Sequence, residues 1–293
     1  MGEYYDLLWS HLNNNGGIIK ILMNKYKRIS AGSKHLLILN ENGKVIAKGS
    51  NKNGQCNVEL WNNIKMVSAG NVHKAKNTGN THSVCLNNNG TVLGSGNNQH
   101  GQLDVSEWNN VIDIDCGWMH TVGVFENGSV NAIGRNSEGQ CEVSKWKNIE
   151  QVSAGDWHTL GLTKNGTVIG AGNNTKRQLD VSEWNDIKQI SAGYLHSLGL
   201  KRDGTVLSTG NNKYYTCDTE EWKNICYISA GSYHSVGLTE SGKVVATGNN
   251  DFGQCDISKW ENIICVSAGP DYTIAMNENY EVLLKGNNSW VNL

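Results

Sequence analysis

The sequence predicts an all-β fold, a seven-bladed β-propeller closed into one ring. Three observations predict it: a motif that returns seven times in register, short β-branched runs separated by Asn-Gly pairs, and a last copy that stops early. Ser-Ala-Gly recurs with its glycine at Gly32, Gly70, Gly155, Gly193, Gly231 and Gly269, and Asp115-Cys116-Gly117 is a degenerate copy. The copies are 38 residues apart except for one interval of 47, which a nine-residue insertion from Asn71 to Gly79 explains. A period near 40 with several short strands per unit is that of a propeller blade.

Each unit opens on an apolar, β-branched run such as Ile187 to Ser191, with no helical period over ten residues. Three residues after the motif glycine, with Gly79 taking that role in the second copy once the insertion has ended, stands His35, His82, His120, His158, His196 or His234, with Tyr272 in the seventh copy. A second run follows, then a turn pair: Asn42-Gly43, Asn89-Gly90, Asn127-Gly128, Asn165-Gly166, Asp203-Gly204 or Ser241-Gly242. Such pairs between two strands predict a type I′ hairpin, with positive φ at both residues. A third run ends at Gly49, Gly96, Gly134, Gly172, Gly210, Gly248 or Gly286. A tryptophan closes six units, at Trp61, Trp108, Trp146, Trp184, Trp222 and Trp260. The blades are thus expected to have three to four antiparallel strands, the last one ending at that tryptophan.

The two ends of the chain are expected to complete each other. Residues 261–290 supply 30 positions, and Gly16 to Met23, which overlays Gly101 to Trp108, supplies the eight that complete a 38-residue unit. Pairing strand 16–23 with the C-terminal blade would remove the free sheet edges. One propeller is expected over residues 16–293, preceded by an extension over residues 1–15. There Tyr5, Leu8, Trp9 and Leu12 have the spacing of a short amphipathic helix beside the binding face.

Composition excludes several functions. A net charge of −2 offers no general attraction to nucleic acid or anionic membrane, and no apolar stretch is long enough to span a bilayer. Eight cysteines without a secretion signal predict reduced thiols and a cytoplasmic location. Cys56, Cys141, Cys217 and Cys255 alternate with Leu103 and Leu179 at one repeat position and read as small buried apolar groups. The six repeated histidines are too far apart around a ring to share a metal and are expected to hydrogen-bond backbone of their own or a neighbouring blade. No nucleophile elbow or phosphate loop is present, so no enzyme, cofactor or metal is expected. Carboxylates such as Asp104, Glu142 and Asp180 fall on the closing segment, where a solvated face is expected.

Gly-x-x-His-Ser/Thr, then Gly-Leu-Thr-Lys-Asn-Gly-Thr-Val, Gly-Asn-Asn and Gly-Gln-Cys/Leu together resemble the bacterial form of the regulator of chromosome condensation repeat, over residues 16–293. The chain lacks the tryptophan usual before the third-strand glycine and has one at the blade-closing position instead. The resemblance implies a seven-bladed propeller. Members with such compact blades include a β-lactamase inhibitory protein that binds its target enzymes through one face. A stoichiometric inhibitor of a β-lactamase or penicillin-binding protein is therefore one implied function. Guanine nucleotide exchange or chromatin regulation, as in eukaryotic relatives, is another.

The positions that break the repeat carry the functional expectation. The loop after the first strand and the loop after the third share one face, and there the sequence places Trp118, Met119, Trp157, Tyr194, Leu195, Tyr233, Tyr214, Phe252 and Trp290, with Asp156 among them. Aromatic and methionine side chains on rigidly held loops are what protein interfaces use. The expectation is a monomeric, non-catalytic protein that binds a protein partner through this rim. A sugar or nucleotide at the channel mouth is the alternative the same aromatics would serve.

Overall fold

The computed structural model describes residues 27–71, 73 and 81–291. In it, seven three-stranded antiparallel sheets follow one another along the chain. Blades 1 to 7 begin at Ile29, Ile64, Val111, Ile149, Ile187, Ile225 and Ile263. In blade 4 the inner strand Ile149–Ala154 pairs with the middle strand His158–Thr163, which pairs with the outer strand Val168–Gly172. The middle strands are buried over nearly their whole length, because a blade face lies against each side of them. Among the described residues no helix is long and apolar enough to cross a membrane.

Among the described residues each blade has three strands, within the three to four expected; the segment ending in the tryptophan, expected as the last strand, is a run of turns in every described unit. It wedges between blades: Val143 and Trp146 pack with Val122 and Val124 of blade 3 and Ile149 and Val152 of blade 4. The hairpins are also different. Gly90 has φ 80°, but Asn89 is not among the positive-φ residues, and the Gly90 amide donates to the Asn87 carbonyl at 3.2 Å. The turn therefore carries one left-handed residue at its fourth position, the arrangement in which a bulge follows a type I turn. The carbonyl of that glycine then accepts from the first residue of the next blade, as Gly128 does from Ile149 at 3.0 Å.

Three rings of contact, two of them hydrogen-bonded, join the blades. Nε2 of each repeat histidine meets a hydroxyl on the next blade, from His35 to Ser83 at 2.9 Å round to His234 and Thr273 at 2.8 Å. That hydroxyl spends its one hydrogen on a backbone carbonyl, as Thr159 does on Gln140 at 2.8 Å. The imidazole must therefore donate through Nε2. The histidines thus bond side chains across the blade junction, where backbone partners were expected. Tyr272 holds the same place in blade 7 and donates to the carbonyls of Gly32 and His35, closing the circle. Nearer the axis, Ser30 accepts from the Ala69 amide, and the pattern runs round through Asp115 to Ser267, which accepts from Ala31. In the third ring the motif glycines approach the next blade so closely that the Gly155 position faces the Gly193 carbonyl.

The junction of blades 7 and 1 is thus sealed by side chains, with Ile29, Leu36, Tyr272 and Ile274 in a shared core. The expected pairing of strand 16–23 and the helix within residues 1–15 lie outside the described residues.

The closing tryptophans sit over a glycine of the following middle strand: Trp108 on Gly123, Trp146 on Gly161, Trp184 on Gly199 and Trp222 on Gly237. A Cβ on those glycines would lie 2.6–2.9 Å from the indole, so the pair is matched in shape. Trp184→Ala is expected to lower stability by about 3–5 kcal/mol, read as a fall in the urea midpoint. The thiols at the alternating position are half-buried, not buried: Cys141 Sγ donates to the Arg135 carbonyl at 3.4 Å, and burial pushes its pKa up to about 12.

An aromatic cluster on the loop face

Antiparallel strands put the loop after the inner strand beside the one after the outer strand. The Arg135 amide donates to the Met119 carbonyl and the Asn173 amide to the Trp157 carbonyl, so the two loops are tied together in each blade. The hairpins occupy the opposite face.

On the loop face of blades 3 to 6 five of the expected residues form two groups of touching rings, a tryptophan pair and a tyrosine trio. Trp118 and Trp157 meet edge to face at 4.7 Å. Tyr194 contacts Tyr233 at 5.6 Å, and Tyr233 contacts Tyr214 at 5.4 Å. All five rings are half-buried. Leu195, on the same loop as Tyr194, is half-buried too. Phe252 is 48% exposed.

Three expected residues lie elsewhere. Met119 is buried, with φ 128°, because its neighbour Trp118 takes the outward position. Trp290 packs on Tyr272 at 4.8 Å and donates through Nε1 to the Asn287 carbonyl, which makes it part of the seam between blades 7 and 1. Asp156 is only 2% exposed and lies beneath the aromatic rings.

Two residues complete the site that pattern reading passed over. His73, from the inserted segment, reaches from blade 2 across to blades 4 and 5. Its ring stacks on Tyr194 at 4.1 Å and 12°, with Trp118 and Trp157 at 5.8 and 6.1 Å. Both its Nδ1, at 2.6 Å, and its backbone amide, at 3.0 Å, meet Asp156 Oδ2. Arg135 holds its guanidinium over Trp118 and Trp157 at 4.7 and 4.6 Å, a cation–π contact with both indoles. A signal for Arg135 was available: it stands where five other units have asparagine. A signal for His73 was available too: it stands three residues after Gly70, the spacing of the repeat histidine, although the insertion then lets His82 take that histidine's place in the blade.

Electrostatics follow from burial. Desolvation raises the Asp156 pKa, and the bonds from His73 oppose it. Burial, with Tyr194, Asp156 and Tyr214 nearby, raises Tyr233 to about 12, so its hydroxyl stays a neutral donor. The Trp118 Nε1 is buried and has no acceptor among the described residues.

The central channel is a separate feature. Its open volume is about 90 Å³, walled by the inner-strand serines, Gln151 and Gln189. Asp115 replaces a serine there and accepts from Ser68 and Ser153, while Lys27 crosses from blade 1 to Asp113 of blade 3 at 2.5 Å. Among the described residues no three His, Cys, Asp or Glu side chains converge as a metal site.

The model of the regulator of chromosome condensation (RCC1) repeat matches residues 26–55, 111–140, 149–178, 187–216 and 225–254, just over half of the chain. No curated protein matches the chain by sequence. Among solved structures, the CRINKLY WD40 ectodomain of the Arabidopsis thaliana receptor kinase ACR4 is similar, with TM-score 0.69 at 14% identity over 89% of this chain and 97% of that one. Yeast RCC1 (Prp20) bound to Kap60 gives 0.54 at 18% identity over 89% and 70%. Prp20p of Saccharomyces cerevisiae, studied for binding to Gsp1p and histones, gives 0.53 at 19% over 88% and 71%. At these identities the likeness is one of fold.

Proposed function

From the premise that the chain belongs to the RCC1 repeat family, we propose that it is a non-catalytic binding protein whose loop face, over blades 3 to 6, holds a protein partner. The observation that carries this is the cluster of Trp118, Trp157, Tyr194, Tyr233 and Tyr214, a tryptophan pair and a tyrosine trio bridged by His73, half-exposed on rigid loops. Large amphipathic rings held by a scaffold lose little entropy on binding and supply the anchors of interfaces. The RCC1 neighbours bear on the reading because each is described with a protein it binds, Kap60 in one case and Gsp1p and histones in the other. Fold alone does not transfer a partner.

Capture of partners by the full chain from cells that express it, compared with Trp118→Ala/Trp157→Ala, tests the reading. Loss of a captured protein with at least a hundredfold weaker binding is expected, with the thermal midpoint little changed. Retention of every partner by the double variant would exclude this face. The most specific form, stoichiometric inhibition of a β-lactamase or penicillin-binding protein, rests on the family resemblance. An inhibition assay decides it, since a tight inhibitor titrates the enzyme one to one.

A further inference from the structure

His73 occupies its place as a ligand would. Its ring lies flat on Tyr194, its edge meets a carboxylate that is almost wholly buried, and the faces or edges of Trp118 and Trp157 wall the remaining sides. It has the Gly-x-x-His spacing of the repeat, but His82 makes the inter-blade bond of blade 2, so His73 is not a member of the histidine ring. The walls suit a planar cation: the guanidinium of Arg135 already lies over both indoles. A flat group that stacks on tyrosine while its edge donates to a carboxylate describes arginine better than lysine, whose ammonium is a compact point charge.

We propose that the box formed by Asp156, Trp118, Trp157 and Tyr194 is the receptor for an arginine side chain of the partner, and that His73 is its built-in occupant, displaced when the partner binds. The inference rests on the loop face being the interface and names what that face recognises. Asp156 supplies the charge, the three rings supply stacking, and the unpaired Trp118 Nε1 offers a donor to a carbonyl of the incoming segment. His73 keeps the carboxylate paired in the free protein, since a buried carboxylate left alone is strongly destabilising.

The test uses the full-length chain and three capped tripeptides, Gly-Arg-Gly, Gly-Lys-Gly and Gly-citrulline-Gly, with tryptophan fluorescence as the readout. His73→Ala is expected to bind the arginine peptide at least tenfold more tightly than the unaltered chain. The lysine and citrulline peptides should gain less than threefold. Asp156→Asn in the His73→Ala background should return the arginine peptide to its starting affinity. His73→Arg, which supplies the guanidinium from within, should keep the thermal midpoint and show no gain. If His73→Ala lowers the midpoint, the fluorescence titration is read at a temperature where its circular dichroism matches the unaltered chain. No gain there, or an equal gain for citrulline, overturns the proposal. Because these probes need no partner, failure here while Trp118→Ala/Trp157→Ala still loses a captured protein would leave the loop-face reading intact.

Discussion

Acidification from pH 7 to pH 5 is expected to unfold the ring. His35, His120 and His234 have pKa values lowered to about 4 by burial, and His82, His158 and His196 to about 3. Their unfolded value is 6.5. A depressed histidine favours the folded state fully above the unfolded value and loses that contribution as pH falls toward the folded one, because only the unfolded chain takes up the proton. At pH 5 each histidine has lost about 2 kcal/mol, from 1.36 kcal/mol per unit. Six such groups together approach about 12 kcal/mol, comparable with the whole stability of an ordinary domain. Asp113, Asp156 and Glu150 work in the opposite direction, since burial raises them and the folded state protonates first. They are three against six. Circular dichroism and tryptophan emission should show cooperative loss between pH 6.5 and 5, and His158→Gln should make the pH dependence shallower. A thermal midpoint that holds from pH 7 to pH 5 would contradict the neutral, Nε2-protonated histidine ring.

Gly155→Ala is expected to be among the most damaging single changes in the molecule. The added methyl would lie 2.3 Å from the Gly193 carbonyl and 2.7 Å from the His158 ring. The first obstacle is backbone of the next blade, and a closed ring cannot widen one junction without straining the other six. A loss above about 4 kcal/mol, or failure to fold, is the expectation. Gly70→Ala provides the contrast. Its nearest neighbours are 3.2 and 3.3 Å away, the carbonyls of His82 and Gly117, and its effect should be much milder. Equal losses in the two variants would show that backbone freedom, not the close approach of blades, explains the motif glycine.

Much of the architecture was legible because a ring of equal blades repeats its requirements. A residue needed at one junction is needed at seven, so the motif glycine, the histidine and the closing tryptophan appear as a period. The same period misled where one pattern serves two geometries. Asn-Gly suits a two-residue hairpin and also a longer turn with a single left-handed glycine, and only the backbone separates them. The closing segment has apolar residues at strand-like spacing, yet Val143 and Trp146 face into a wedge between two sheets and form no ladder.

The candidate site was legible in part for the opposite reason. Trp118, Trp157, Tyr194, Tyr233 and Tyr214 stood out by breaking the repeat, and their loops share a face by strand direction alone. Trp290 broke the repeat equally and proved to be a seam residue, since the last unit must pack on the first. Asp156 and His73 meet from positions 83 residues apart. By itself, then, the sequence determined the number of blades, the residues that hold them together and the face that carries the aromatics, because those follow from local pattern multiplied around a ring. Only the tertiary structure decided which rings touch, that a buried carboxylate lies under them and that His73, not His82, is the histidine that fills the space. Those contacts join separate blades across the loop face, and no spacing along the chain encodes them.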